Sequence, residues 1–124
     1  NEGDFVLVAD DEEIFRELAR DILTESGFKV HTVPDGQAAI DYYRKNKEQI
    51  DVLILDMVMP NKDGKETFDA VLKINPQVKV LLASGYSING EAQVLLEKGV
   101  KDFLQKPFTK NELIGKLGRL LKRD

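Results

Sequence analysis

The sequence predicts an α/β domain in which a parallel sheet carries helices on both faces, joined by right-handed crossovers. Five short apolar runs of strand length alternate with five segments whose apolar residues recur at helical spacing. The third run, residues 51–56, is almost continuously aliphatic, as expected for a strand that is covered on both faces. At 124 residues the chain has the length of one domain, so residues 1–124 are predicted to form a single domain, with about 4–122 structured.

Composition excludes several classes of protein. The chain has no cysteine, which excludes disulfides and thiolate metal sites. Hydrophobic residues make up 42% and charged residues 32%, and no apolar segment approaches the roughly 20 residues that a membrane helix needs. A net charge of -4 argues against non-specific binding to nucleic acid. We therefore expect a cytoplasmic protein with no membrane segment and no direct nucleic-acid partner.

The first half of the chain supplies three strands and two helices. Residues 4–9 form a buried strand, and a helix follows it that ends at Gly27. The apolar stripe predicted for this helix comprises Ile14, Phe15, Leu18, Ala19, Ile22 and Leu23. Residues 28–33 alternate between apolar and polar, which predicts an edge strand, and a helix then runs from about Gly36 to Asn46. The central strand, residues 51–56, opens into a loop at residues 57–64.

The second half completes the alternation. A third helix ends before Asn75, because the residue that precedes a proline disfavours helical geometry. Residues 78–83 and 101–104 form the fourth and fifth strands, and Thr109 with Glu112 has the spacing of a capping box that opens the last helix. The inward residues of the last three helices are Phe68, Val71, Leu72, Ile88, Ala92, Leu95, Leu96, Leu113, Leu117, Leu120 and Leu121.

Three carboxylates follow the first and third strands. Asp10 and Asp11 come directly after the first strand, and Asp56 ends the third. The carboxyl ends of parallel strands share one edge, where such sheets bind ligands. At a separation of roughly 5 Å and an effective dielectric near 20, each like-charged pair costs about 3 kcal/mol. The cluster must therefore hold a proton or bind a cation, and an all-oxygen ligand set indicates Mg²⁺.

Helix capping is the competing explanation for the first two acids, since Asp10 and Glu13 have capping-box spacing. Capping does not explain Asp56, because a loop rather than a helix follows it, and a lone acid at the end of so apolar a strand needs a partner. The only histidine, His31, lies on the predicted edge strand and is interpreted as structural.

Two further polar residues end strands at the same edge. Lys106 follows the fifth strand and can grip a phosphate as a point charge, while Ser84 ends the fourth and can donate a hydroxyl hydrogen bond. Taken alone, each is as easily a surface lysine or a turn serine. Together with the acids and a divalent cation they describe a phosphoryl-transfer site, in which Asp56 can serve as the nucleophile.

In these motifs the sequence resembles the receiver domain of two-component response regulators, over nearly the whole chain. The motifs, in order, are Asp10-Asp11, Asp56-Met57-Val58-Met59-Pro60, Asp63-Gly64, Ser84 and Lys106-Pro107-Phe108. The resemblance implies a flavodoxin-like sheet in the strand order 2-1-3-4-5. It also implies that Asp56 accepts a phosphoryl group from a phosphohistidine of a histidine kinase or a histidine phosphotransfer protein.

The resemblance also assigns roles to individual residues. Asp11, Asp56 and the backbone carbonyl of Val58 are expected to hold Mg²⁺, or Mn²⁺ in its place, with Asp10 acting partly through a water. Lys106 is expected to pair with the phosphoryl oxygens and to precede a cis proline.

Further expectations from the resemblance concern switching and association. Ser84 and Phe103 are the expected switch residues, and a homodimer is expected through the face of the fourth helix, fifth strand and fifth helix. The segment Ser84-Gly85-Tyr86-Ser87 is similar to receivers attached to hybrid sensor histidine kinases.

The motifs predict a phosphoacceptor that catalyses its own phosphorylation and dephosphorylation without being a stand-alone enzyme, and two other functions are the alternatives. A haloacid dehalogenase-type phosphatase needs a second acid two residues after its nucleophile, where Val58 stands, and a substrate cap for which 124 residues leave no room. A degenerate receiver would act only as a protein-interaction module, but such domains usually lack an acid or the lysine. The sequence favours the phosphoacceptor.

Overall fold

The computed structural model describes residues 3–85 and 90–121, which form one parallel sheet flanked by helices. The strands are β1 (Phe5–Ala9), β2 (Lys29–Val33), β3 (Val52–Asp56), β4 (Val80–Ser84) and β5 (Asp102–Gln105). The helices are α1 (Glu13–Glu25), α2 (Gly36–Asn46), α3 (Gly64–Ile74), α4 (Gly90–Lys98) and α5 (Lys110–Leu121). The strand order is β2-β1-β3-β4-β5, so the predicted α/β class, the flavodoxin-like order and the edge position of β2 are confirmed.

The sheet separates two hydrophobic cores, because successive side chains of a strand point to opposite faces. Leu7 and Leu53 lie in the core that the helices α2, α3 and α4 cover. Val6 and Ile54 lie in the core that α1 and α5 cover. Every residue of β3 is buried, which explains why its sequence is continuously apolar up to Asp56.

The strand register sets the place of the acidic residues. Ala9 of β1 pairs with Leu55 of β3, so Asp10 and Asp56 follow neighbouring positions of adjacent strands. Asp56 itself pairs with Ala83, one residue before Ser84. The carboxyl ends of β1, β3 and β4 therefore meet at one edge of the sheet.

Helix α1 differs from its predicted stripe. Phe15, Ala19 and Leu23 are buried against the sheet, but Ile14 is 82% exposed and Leu18 is 48% exposed. The predicted stripe contains two adjacent rows of apolar residues, and the helix rests on only one of them. In the other row, Ile14 and Leu18 face solvent, while Ile22 is partly buried against the core.

The start of α1 also differs from the capping alternative. The N-cap residue is Glu12, which forms no side-chain cap, and Asp10 Oδ1 instead accepts a hydrogen bond from Glu12 N at 2.9 Å. The capping box of Asp10 with Glu13 is therefore wrong. The predicted box before α5 is present, because Glu112 accepts from Thr109 N at 2.7 Å and Thr109 Oγ1 accepts from Glu112 N at 3.1 Å.

Smaller differences concern strand ends and the residues beyond the described ranges. Strands β4 and β5 begin two residues and one residue later than predicted. Tyr86, Ser87 and Ile88 lie outside the described residues.

His31 stacks on Tyr42 with ring centroids 3.9 Å apart. Within residues 3–85 and 90–121, no helix has both the length and the apolar character that a membrane crossing requires.

Candidate functional site

The structure brings together the three acids that the sequence places at the carboxyl edge. One carboxylate oxygen each from Asp10, Asp11 and Asp56 lies within 4.8 Å of the other two. Asp10 is fully buried, Asp56 is 8% exposed, and Asp11 is exposed. The cluster therefore opens to solvent at Asp11 and has two of its charges inside the protein.

Lys106 is the counterion of this cluster. Its Nζ lies 2.6 Å from Asp10 Oδ2, 3.3 Å from Glu12 Oε1 and 3.7 Å from Asp56 Oδ1. Its backbone N–H donates to the carbonyl of Ser84 at 2.7 Å, which ties the end of β5 to the end of β4. The peptide bond between Lys106 and Pro107 is cis, as expected.

The pKa values of Asp56 and Lys106 both depart from their ordinary values. Burial first, and then the charges of Asp10 and Asp11, raise the pKa of Asp56 to about 7 although the charge of Lys106 opposes the shift. Burial acts to lower the pKa of Lys106, but the hydrogen bond to Asp10 and the charges of Asp56 and Asp10 outweigh it, so that pKa is raised above its ordinary value. Lys106 does not offset both the burial of Asp56 and the charges of its acidic neighbours, so the Asp56 carboxyl binds its proton more tightly than usual.

An open cavity of about 480 Å³ lies over the cluster. Its lining residues are Asp11, Glu12, Asp56, Val58, Ser84, Gly85 and Lys106. Ser84 is 2% exposed, whereas Val58 is 63% exposed at the rim. Most of the predicted site residues therefore face one space that a small anion and a cation could enter.

Phe103 lies away from this cavity, whereas Asp10, which is also absent from the lining, is buried within the acidic cluster. Phe103 is 7% exposed and belongs to the core under α2, α3 and α4, next to Leu82 in the sheet. Its side chain is therefore turned inward. This position suits a core residue and is also compatible with the switch role expected for it.

Two residues of α1 contact the site residues, and the sequence did not predict this role for them. The ring centroid of Phe15 lies 4.1 Å from Lys106 Nζ, and Phe108 packs edge-on against Phe15 at 5.4 Å. Arg16 Nη1 donates to the backbone carbonyl of Asp10 at 2.7 Å. Their position in the first turn after the acidic motif is the only sequence signal for these roles.

The motif Asp63-Gly64 allows the end of the loop after β3 to pack against the start of the same loop. A Cβ at Gly64 would lie 2.8 Å from Met57 Cα and 2.9 Å from the carbonyl oxygen of Asp56, so no other residue fits without displacing this backbone. Gly64 N–H donates to the Met57 carbonyl at 2.8 Å. The loop that carries Val58 is therefore closed directly beneath Asp56.

The residues of the cluster fit a hard divalent cation. They offer only oxygen donors, and three carboxylates that converge in one partly buried pocket need more positive charge than Lys106 supplies. The sequence prediction of an acidic cation pocket at this edge is met by the residues that the structure places there.

A five-stranded doubly wound sheet with three aspartates and a lysine at its carboxyl edge defines the class of signalling domains used by two-component systems. Within that class, the chain belongs to the response regulator receiver domain family, whose family model matches residues 6–118. The chain is thus a receiver domain that functions in phosphorelay signalling.

Individual relatives agree with this assignment. The chain is 28% identical to the chemotaxis protein CheY of Thermotoga maritima, over 97% of this chain and 99% of that protein. It is 32% identical to the transcriptional regulatory protein CpxR of Escherichia coli, over 95% of this chain but 49% of that protein. The solved receiver domain of the Francisella response regulator 1452 matches with a TM-score of 0.87 and 30% identity, over 98% of both chains. The chain therefore spans nearly all of one relative and about half of another.

Proposed function

We propose that this domain accepts a phosphoryl group on Asp56 from a phosphohistidine of a histidine kinase or a histidine phosphotransfer protein. The observation that supports this best is the position of Asp56, whose carboxylate lines the open cavity with Lys106 Nζ 3.7 Å away. A nucleophilic oxygen and a positively charged group thus face the same accessible space. That is the arrangement that transfer of an anionic group requires.

In the proposed step, a carboxylate oxygen of Asp56 attacks the phosphorus atom of the donor. The new O–P bond forms as the N–P bond to the donor imidazole breaks, and the bonding electron pair stays on that imidazole nitrogen. Lys106 moves from Asp10 and Glu12 to the phosphoryl oxygens, where its charge offsets the charge that has been added. Attack of water on the phosphorus atom then breaks the O–P bond to Asp56, which releases inorganic phosphate and returns Asp56 to its carboxylate.

We propose that Asp11, Asp56 and the backbone carbonyl of Val58 hold Mg²⁺, or Mn²⁺ in its place, with Asp10 contributing through a water. A cation held by these residues would supply positive charge that offsets the negative charges of the acids and of the phosphoryl oxygens. Support comes from the oxygen-only donors of the cluster and from the charges of Asp10 and Asp11, which add to burial in raising the pKa of Asp56.

For the conformational response, we propose that Ser84 donates its hydroxyl to a phosphoryl oxygen and that Phe103 moves with it. Ser84 lines the cavity beside Asp56, and Phe103 is the β5 residue next to Leu82 of β4. The added charge would thereby bias the packing between β4, β5 and the helices near them.

The test of this proposal is intact mass after incubation with acetyl phosphate, first with Mg²⁺ and then with EDTA. We expect a gain of about 80 Da, the mass of one phosphoryl group, that requires the cation. No gain under either condition would favour the degenerate receiver, which acts only as a protein-interaction module.

This domain exposes an apolar surface beside the acidic cavity, on which a phosphodonor protein could dock. The exposed row of α1, Ile14 and Leu18, lines a groove of about 550 Å³ with Pro107 and Phe108, and Lys106 belongs to the lining of both this groove and the acidic cavity. The groove is thus next to the cavity that a donor histidine would enter to reach Asp56. We therefore propose that the donor covers Ile14 and Leu18.

Replacement of Ile14 by serine tests this docking surface. We expect phosphoryl transfer from the donor protein to slow at least fivefold, because an exposed apolar contact of the interface is lost. Labelling by acetyl phosphate, which needs no docking, should be unchanged. Val94→Ser removes an apolar side chain that is 42% exposed on α4 and serves as the matched control. Equal slowing in both variants would contradict the proposal.

The remaining predictions concern the whole molecule. We propose that residues 1–124 act as one domain in the cytoplasm and that homodimers form through α4, β5 and α5. Sedimentation velocity with and without the phosphoryl mimic beryllofluoride tests the dimer, and a monomer under both conditions would count against it.

A further inference from the structure

The start of α2 makes a very close contact with the loop after β3. A Cβ built on Gly36 would lie 2.1 Å from the carbonyl oxygen of Lys62, 2.2 Å from Thr67 Oγ1 and 2.7 Å from Lys62 Cβ. Gly36 and Thr67 are both buried. The corner of the loop at Lys62 therefore rests directly on the backbone of Gly36, and any side chain there would push the loop away.

Two hydrogen bonds hold the same corner. The backbone N–H of Gln37 donates to the carbonyl of Asn61 at 2.9 Å, and Asn61 Nδ2 donates to Asp35 Oδ2 at 3.2 Å. Asp35 is in turn fixed as the N-cap of α2, where its Oδ1 accepts from Ala38 N at 2.8 Å. The first turn of α2 thus binds the loop by one backbone hydrogen bond and one side-chain hydrogen bond.

The backbone of this corner would not adopt its conformation unaided. Asn61 has a φ of 54° and Lys62 has a φ of 102°, both in the left-handed region. Asparagine tolerates that region, but a lysine there costs on the order of 1 kcal/mol or more. Such strain persists only where the surroundings impose it. Here the surroundings are the contacts made by Gly36, Gln37 and Asp35.

The same short loop carries the functional end of β3. It begins at Asp56, includes Val58 and returns at Gly64, whose N–H is bonded to the Met57 carbonyl. Only three residues separate Val58 from the corner at Lys62. A displacement of the corner would therefore also displace the backbone near Val58. The position of Val58 is therefore linked through this short loop to the position of the corner.

We infer that Gly36 is a positioning residue for the cation site: together with Asp35 and Asn61 it holds the loop in the place from which the Val58 carbonyl would bind the cation. This inference rests on the proposed function, because it takes that carbonyl as a ligand of Mg²⁺. Gly36 touches neither the cation nor the phosphoryl group. It acts through the loop alone.

The experiment compares Gly36→Ala with Gly118→Ala by titrating Mg²⁺ into ¹⁵N-labelled protein and following amide chemical shifts. A Cβ at Gly118 on α5 meets no atom within 4 Å, so this control changes the same residue type without a collision. We expect the Mg²⁺ dissociation constant to rise at least fivefold in Gly36→Ala and to stay native in the control. Labelling by acetyl phosphate should recover in Gly36→Ala as Mg²⁺ is raised, which general damage to the fold would not allow.

A second variant covers the case in which Gly36→Ala fails to fold. Asn61→Gly keeps the left-handed backbone accessible and removes only the hydrogen bond to Asp35. We expect the Mg²⁺ dissociation constant to rise about twofold, in proportion to one exposed hydrogen bond of about 0.5 kcal/mol.

The outcomes separate this inference from the proposed function. Native Mg²⁺ affinity in a Gly36→Ala protein whose loop amides have shifted would overturn the inference and leave the function standing. Lost labelling with unchanged Mg²⁺ affinity would also overturn it. A native chain that binds no Mg²⁺ at millimolar concentration would overturn both.

Discussion

Replacement of Asp56 by asparagine is expected to abolish phosphoryl uptake and to stabilise the metal-free fold. The variant lacks the nucleophile, so the mass gain with acetyl phosphate and Mg²⁺ should disappear. It also removes a carboxylate that is 8% exposed and faces Asp10 and Asp11. Above neutral pH in EDTA, the free energy of unfolding should rise by roughly 2 kcal/mol or more, since a pKa difference of one between folded and unfolded chain corresponds to about 1.4 kcal/mol.

The same variant should change how stability depends on pH. The pKa of Asp56 is raised to about 7 in the folded protein by burial and by its acidic neighbours, from a model-peptide value of 3.8. The folded chain therefore binds this proton more tightly than the unfolded chain, and this group makes stability fall as pH rises from about 4 to about 7. Asp56→Asn lacks this contribution, so its advantage over the native chain should grow across that window and level off above it.

Urea unfolding in EDTA at several pH values measures this difference. Mg²⁺ should narrow the gap at high pH, because the cation binds the ionised native cluster more tightly than the variant. Asp69→Asn is the control, since Asp69 lies on α3 in an exposed ion pair with Lys98 at 3.5 Å. This control should keep phosphoryl uptake and native stability. A difference between native and Asp56→Asn that is independent of pH would contradict the account.

Replacement of Lys106 by alanine is expected to destabilise the metal-free protein by about 3 kcal/mol, because a buried charge is left without its partner. Lys106 Nζ lies 2.6 Å from Oδ2 of Asp10, which is fully buried. Mg²⁺ should restore much of this loss by supplying another positive charge to the cluster. Phosphoryl uptake at saturating Mg²⁺ should slow by roughly 100-fold, as when a preorganised donor to the transition state is removed.

Urea unfolding with and without Mg²⁺, followed by a time course of labelling, measures both effects. Lys110→Ala is the control, because the pair of Lys110 with Glu25 spans 4.0 Å between exposed side chains and should change stability by less than about 0.5 kcal/mol. Equal stability of Lys106→Ala and native protein in EDTA would show that Asp10 does not depend on this lysine.

The local pattern of the sequence was sufficient for the elements and for the edge at which chemistry is expected. A continuous apolar run predicts β3 as a buried central strand, and alternation predicts β2 as an edge strand, because burial on two faces or on one leaves different patterns. The capping box of Thr109 and Glu112 was equally readable, since both partners lie within one helical turn.

Contacts between distant segments could not be read in this way. The rows of α1 look alike in sequence, and only the docking of the helix on the sheet decides that Phe15 is buried while Ile14 is exposed. The ring of Phe15 beneath Lys106 joins residues from the two ends of the chain. The collision that any side chain at Gly36 would suffer with Lys62 arises from a loop that follows a different strand.

The sequence by itself determined the five strand–helix units, their parallel arrangement and the acidic and basic residues that end the strands. Periodicity and strand-end chemistry are local, and parallel strands must share one carboxyl edge. Only the tertiary structure decided that Lys106 pairs with the buried Asp10, that burial and acidic neighbours raise the pKa of Asp56, and that α2 holds the loop of Val58. Each of these depends on distances between segments far apart in the chain, which the packing of the helices on the sheet sets.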